Sequence, residues 1–276
     1  MTAPTESLED IEIALLLEGM YRYYGHDFRS YAPVTLRRRI LHCLHAEGLP
    51  TVSALQHRVL HDQQALTRLL ETITIRVTEM FRDPSFYWAL RDEVLPLLRT
   101  YPFIRVWHAG CATGEEVYSL AILLAEAGLL HRTRLYATDI SADALAVARS
   151  GIYSQQRLTV YADNYALAGG RGNFESYFTQ RDDHGRIESS LRENIIWGQH
   201  NLATGGSFNE FHLILCRNVL IYFNSALQEH VQNLLVESLT SFGVLGLGRH
   251  ESMEFSPYAR RFATLNLSEK LYRRIA

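Results

Sequence analysis

Lysine is almost absent from this chain. Of 27 basic residues among 276, only Lys270 is a lysine. A phosphate-binding P-loop needs its lysine inside a glycine-rich turn, and a pyridoxal enzyme needs one for its Schiff base. Lys270 stands in neither setting, which argues against both classes. Cysteine is also scarce: Cys43, Cys111 and Cys216 are widely spaced and form no CxxC pair. Neither a disulfide framework nor a zinc ribbon is expected, and the scattered histidines suggest no metal site. No apolar run reaches the roughly 18 residues of a membrane span. The opening stretch MTAPTESLED lacks a charged-then-apolar signal pattern. The expectation is a soluble, cytoplasmic protein without membrane insertion. A net charge of −3 lacks the strong basic excess of a nucleic-acid coat, so no nucleic-acid partner is expected.

The pattern that is present changes near residue 104. Before it, apolar residues recur at helical steps over 8–24, 35–46, 51–61 and 64–75. Pro84, after Asp83, is placed to open a further helix to about residue 98. After it, short apolar runs at 104–107, 134–139, 194–197 and 211–216 alternate with helical stretches at 117–129, 142–149 and 225–241. Such alternation with short links predicts a parallel sheet covered by helices. Ser141 and Asn224 are placed as N-caps, and Gly151 as a helix stop. The polar, tyrosine-rich stretch 153–193 suggests a small antiparallel insertion or a lid. A strand at 244–248 and a closing hairpin over 262–275 complete the reading.

Ligands of open α/β sheets bind beyond the C-terminal ends of the strands. Three groups fall there. The turn Gly110-Cys-Ala-Thr-Gly114-Glu115-Glu116 lets a ligand approach the backbone, but its two acids would repel a pyrophosphate. They suit an ammonium or hydroxyl groups, or simply favour a helix N-terminus. Asp139 ends the next strand, where an acid accepts the hydroxyls of an adenosine ribose, although a capping role is the plainer alternative. Gly turn and strand-end Asp together point to an adenosine cofactor without pyrophosphate, S-adenosylmethionine. The third group is Cys216-Arg217-Asn218-Val-Leu-Ile-Tyr222-Phe223. Its Arg-Asn pair is costly to bury unless partnered, and Asn also tolerates unusual backbone angles. A separate link, Arg76-Val-Thr78-Glu79-Met80-Phe81-Arg82-Asp83, is placed to close over such a site, although local spacing equally allows Arg82 simply to pair with Glu79 or Asp83.

These segments, in this order, resemble the bacterial chemotaxis receptor glutamate methyltransferases, the CheR family. The resemblance runs from the Thr35-Leu-Arg-Arg-Arg39 helix through TEMFRD, GCATGEEVYSL, ATDIS with GIY, HNL, CRNVLIYF and GLGRHES. It implies an α/β fold, an S-adenosylmethionine-dependent methyltransferase Rossmann-like domain with a small antiparallel β-subdomain, preceded by an all-α N-terminal domain. The implied boundaries are 1–83 and 84–276, with the β-subdomain within about 153–200. Implied cofactor contacts are Thr78, Arg82, Glu116, Asp139, Asn201, Leu202, Arg217 and Asn218. Arg82 and Tyr222 match positions near the methyl-transfer centre. Arg37, Arg38 and Arg39 would supply the basic helix that meets acidic receptor helices, although consecutive helical residues spread over roughly 200° and cannot all face one way. Arg76 departs from the Asn usual in the family.

The implied reaction passes a methyl group to a glutamate carboxylate of chemotaxis-type receptors, leaving S-adenosylhomocysteine. Glutamate, with a reference pKa of about 4.3, is already ionised at neutral pH, so no general base is needed. The rival readings are the same fold methylating another acidic protein, or an S-adenosylmethionine-binding signalling module without turnover.

Overall fold

Capping side chains and turn residues set the first helices. The computed structural model describes residues 6–73 and 78–275. Ser7 accepts the Asp10 N–H to open α1 (Leu8–Tyr24), and Gly25 closes it at φ 75°. Pro33 starts α2 (Pro33–Ala46), where its missing N–H would have no helical partner. Thr51 accepts the Ala54 N–H to begin α3 (Val52–His61), and α4 (Gln63–Ile73) follows. Leu16, Met20, Ile40, Leu55, Val59 and Leu69 from these four helices are fully buried. The sequence reading ran the fourth helix to residue 75; its last two positions, like Arg76, lie outside the described residues. The chain divides into two compact units, one of residues 1–76 with 221–228, the other of 77–220 with 229–276.

The second unit opens with α5 (Pro84–Ala89), a single π turn (Leu90–Val94) and α6 (Leu95–Leu98). Strands and helices then alternate: β1 (Ile104–Ala109), α7 (Glu115–Glu126), β2 (Thr133–Asp139), α8 (Ala142–Ser150), β3 (Ile152–Ser154) and α9 (Gln155–Leu167). After β4 (Phe178–Arg181), β5 (His184–Ile187) and α10 (Ser189–Arg192) come β6 (Ile195–Gln199), β7 (Phe211–Cys216), α11 (Ser225–Ser238), β8 (Leu239–Leu247), β9 (Phe262–Asn266) and β10 (Leu271–Arg274). The main sheet has seven strands in the order β6-β2-β1-β7-β8-β10-β9. β6, β2, β1, β7 and β8 are parallel, and the terminal hairpin adds two antiparallel strands. The chain runs outward from β1 through β2, then returns to β7 on the other side of β1. That reversal leaves a crevice beyond the ends of β1 and β7, the place where this architecture takes ligands.

Burial explains the rigidity of this frame. From Val117 to Leu124 every residue of α7 is buried, including Ser119, whose hydroxyl accepts the Phe81 N–H at 2.9 Å. Trp107 of β1 is fully buried and donates its indole N–H to Thr138 Oγ1 at 2.8 Å. The hydroxyl lets the bulky ring stay inside without an orphaned donor.

The predicted insertion contains an antiparallel three-stranded sheet in the order β3-β5-β4. It also contains α9, which the tyrosine-rich composition did not announce; Leu158, Tyr161 and Tyr165 form its buried stripe. The helix expected over 225–241 ends at Ser238, and the strand expected from residue 244 begins at Leu239. Phe242 at φ 64° and Gly243 sit within that strand as its irregular stretch. Asn224 does cap α11, its Oδ1 accepting the Leu227 N–H at 2.9 Å.

Leu120, fully enclosed on α7, tests how much this packing contributes. Leu120→Ala is expected to remove about 2–5 kcal/mol from the unfolding free energy of its unit, read by urea denaturation.

Candidate functional site

The site is built where four parallel strands end. After β1 the chain turns through Gly110, Cys111, Ala112, Thr113 and Gly114. The Gly110 and Cys111 N–H groups both donate to the Thr138 carbonyl, at 2.8 and 2.9 Å. Gly114 adopts φ 91°, and a Cβ there would lie 2.9 Å from the Ala148 Cβ, so only glycine brings this turn so close to α8. Asp139 ends β2. One of its oxygens accepts the Ala112 N–H at 2.8 Å and the other the Ser141 N–H at 2.9 Å. The carboxylate therefore ties the first turn to the second. Each carboxylate oxygen has room for more than one donor, so Asp139 can accept ligand hydroxyls without surrendering these bonds.

The two acids of the GEE turn have different roles. Glu115 is fully buried and accepts from Thr113 Oγ1 at 2.7 Å and from Arg157 and Tyr161 of α9, each at 3.2 Å. Burial raises its carboxyl, against the pull of these donors. It fastens α9 to α7. Glu116 is half-buried and meets His108 Nδ1 at 3.3 Å and an Arg217 N–H at 2.9 Å. Burial pushes the Glu116 carboxyl up, but His108 and Arg217 outweigh it and hold the group below its ordinary value.

Arg217, just past β7, is the hub. Its side chain is 2% exposed, its second nitrogen donates to Asp83 at 2.7 Å, and its guanidinium carbon lies 3.8 Å from the centre of the Phe86 ring. Asp83 thus spends its carboxylate on arginines rather than on capping α5, where it makes no side-chain cap bond. Arg249 approaches the same carboxylate at 3.9 Å while donating to Ser85 Oγ. Phe81 and Asp83 have φ of 54° and 56°, both left-handed, and they flank the half-buried Arg82. Strain of this kind persists only where surrounding contacts enforce it. Here the Arg217–Asp83 pair and the Phe81–Ser119 bond do so. Asn218 is also left-handed, at φ 60°, as its residue type permits. Glu251 holds this turn by accepting the N–H groups of Asn218, Val219 and Gly248 at 2.9, 2.8 and 2.6 Å.

Beyond β6, Asn201 Oδ1 accepts the Ala203 N–H at 2.9 Å and Leu202 is buried. Thr78 lies half-buried ahead of the Phe81 turn. Glu116, Arg217 and the turn carrying Arg82 are thus joined by direct bonds, and Asp139 by bonds to the Gly110–Gly114 turn. Tyr222 belongs to the helical unit, where its ring stacks 4.4 Å from the Arg39 guanidinium carbon and its carbonyl accepts the Ala32 N–H. The arginine triplet divides as helix geometry requires. Arg37 is exposed and pairs with Glu9 at 2.6 Å, and Arg38 is exposed. Arg39 corrects the expectation of three surface charges: it is buried and donates to the Ile73 carbonyl. His108, Asp83, Arg249 and Glu251 escaped the sequence reading as parts of the site. The signals they offered were the placing of His108 at a strand end, of Asp83 in TEMFRD, and of Arg249 and Glu251 in GLGRHES.

A methyl donor built on adenosine and an amino acid presents ribose hydroxyls and an ammonium. Two carboxylates, Asp139 at the end of β2 and Glu116 in the first turn of α7, fit those groups. The electrostatic frame is open to test by substitution. Arg217→Met leaves Glu116 and Asp83 without their buried counter-ion and should lower stability by about 3 kcal/mol or more near neutral pH. Arg249→Met removes a long contact to Asp83 together with bonds to Ser85 and Glu269, from a side chain 46% exposed, and should cost about 1 kcal/mol, less than Arg217→Met, in the same urea titration.

Comparison with known proteins agrees with this chemistry. A family model described as "CheR methyltransferase, SAM binding domain" matches residues 76–270, and one described as "CheR methyltransferase, all-alpha domain" matches residues 11–74. The putative methyltransferase Cher3 of Pseudomonas putida is 51% identical over 270 residues, 98% of this chain and 99% of that protein. A chemotaxis protein methyltransferase of Listeria monocytogenes is 30% identical over 91% of this chain and 96% of its own length. That of Salmonella typhimurium is 28% identical over 93% and 88%. Matched through both its helical and its sheet regions, the chain belongs to the CheR methyltransferase family and is an S-adenosylmethionine-dependent methyltransferase.

Proposed function

We propose that this protein is a protein-glutamate O-methyltransferase acting on the cytoplasmic, acidic helices of chemotaxis-type receptors in signal adaptation. The observation that carries the reading is the near full-length similarity to proteins named chemotaxis protein methyltransferases. Glu116 at the start of α7 and Asp139 at the end of β2 support it. The cytoplasm is the compartment this substrate requires. Among the described residues no helix is long and apolar enough to cross a membrane.

When bound, the cofactor supplies an electrophilic methyl group on a sulfonium. The protein's task is then placement, since the accepting carboxylate is already ionised at neutral pH. Asp139 receives the ribose hydroxyls while continuing to hold both turns. Glu116, kept ionised by His108 and Arg217, receives the ammonium. Asn201, Leu202 and Asn218 line the remainder of the cofactor's path, and Thr78 closes over it. Arg82 carries a fixed charge on a turn held rigid at both ends, which suits it to orient a carboxylate rather than to bind one tightly. A strongly paired nucleophile would lose reactivity. The role proposed for Tyr222 rests on the sequence resemblance alone. For the receptor, Arg37 and Arg38 offer the exposed positive charge of α2.

The test is methyl transfer from labelled S-adenosylmethionine to receptor-containing membranes. Label should appear in the receptor, be released by mild alkali as expected of a methyl ester, and map to glutamates. Base-stable label, or label on another residue type, would overturn the reading. Arg82→Ala should lower turnover by about a hundredfold, the order expected when positioning fails. Full turnover in that variant removes Arg82 from the mechanism. Arg38→Glu should raise the apparent KM for receptor, and an unchanged KM would take Arg38 out of the recognition surface.

A further inference from the structure

We propose that His108 is a positioning residue for the methyl donor, its ring N–H fixing the Glu116 carboxylate in the orientation that meets the cofactor's ammonium. The proposal rests on the reading of Glu116 given above and adds a residue to it.

Successive side chains of a strand point to opposite faces of the sheet. On β1, Trp107 points one way and is satisfied by Thr138. His108 points the other way and is 1% exposed. Its Nδ1 lies 3.3 Å from Glu116 Oε1. A carboxylate only accepts, so Nδ1 carries the hydrogen of this bond. Arg217 takes the other oxygen, Oε2, at 2.9 Å. The carboxylate is thus gripped once on each oxygen, from the end of β1 and from beyond the end of β7. The outermost torsion of a glutamate is otherwise broad, so a single donor would leave the plane of the group undetermined.

The other ring nitrogen shows that packing is not the reason for this histidine. His108 Nε2 is buried and has no partner among the described residues. Leaving a buried polar atom unpaired is unfavourable, and an apolar side chain would fill the space without that penalty. What an apolar residue does not supply is the donor to Glu116. The charged and titratable groups around Glu116 are His108 of β1, Arg217 after β7, Asp83 through Arg217, Tyr87 of α5, Glu115 beside it, Cys111 of the Gly110–Gly114 turn, and Cys216. Burial pushes the Glu116 carboxyl up, and His108 is the foremost of the groups that bring it down. Without His108, Glu116 takes up a proton at higher pH.

The experiment is calorimetric titration of the full chain with S-adenosylhomocysteine, from pH 5 to 8, beside steady-state methyl transfer. His108→Leu should bind about tenfold more weakly near neutral pH, the order expected for a bond to a charged group. Its affinity should also fall away at higher pH than in the wild type as the medium is acidified. KM for S-adenosylmethionine should rise with kcat little changed. His108→Asn retains a donor close to the Nδ1 position and should restore affinity to within about threefold. His108→Met serves as the donorless variant if Leu does not fold. Equal affinity in the Asn and the donorless variants, or an unmoved pH profile, would overturn the proposal. Glu116→Gln separates the two layers: if it binds as tightly as wild type, the reading of Glu116 fails. If it binds weakly while His108→Leu binds normally, only the role of His108 fails.

Discussion

A single buried guanidinium organises the candidate site. Arg217 is expensive to place, because an arginine 2% exposed must recover its lost hydration from partners. It does so with Asp83 on one side, Glu116 on the other and the Phe86 ring beneath. Those partners come from two segments far from Arg217 in sequence, residues 83–86 and the start of α7. The turn bearing Arg82, the N-terminus of α7 and the end of β7 are therefore held in register by one side chain. Removing it would release buried charge and loosen the left-handed turn at Asp83, with Phe81 still held by its bond to Ser119.

Acids in this protein are used twice over. Asp139 and Glu251 accept backbone N–H groups and so fasten the loops that follow the strands. Glu115, next to Glu116 in sequence, is consumed by Thr113, Arg157 and Tyr161 and fastens α9. The near absence of lysine fits this economy: a planar guanidinium serves two carboxylates in a fixed geometry while stacking on an aromatic ring, as Arg217 does.

Much of this was legible in the sequence. The helices over 8–24, 35–46 and 51–61, the alternation after residue 104, the Ser141 cap and the Gly151 stop depend on local chemistry, and local chemistry is what a sequence displays. The Gly110–Glu116 turn, Asp139 and the Arg217-Asn218 pair were visible because they stand at strand ends. What was hidden depends on contacts between distant segments. The partner of Asp83 was not visible, because neighbouring residues such as Arg82 are the candidates that local spacing offers, yet Arg217 lies 134 positions away. Arg39 was grouped with its neighbours until burial against Tyr222 and the Ile73 carbonyl set it apart. The helix α9 was missed because its buried stripe is tyrosine, whose hydroxyls are satisfied only by partners such as Glu115 and Glu126.

The central claim is that Asp83, Arg217 and Glu116 act as one unit in holding the cofactor. A double-mutant cycle between Asp83→Asn and Glu116→Gln, read as S-adenosylhomocysteine affinity, tests it directly. These two carboxylates do not bond each other and share Arg217 as their link. The account predicts a coupling energy of about 1 kcal/mol or more between them. Additivity within about 0.4 kcal/mol would show that the two acids act independently and would contradict it.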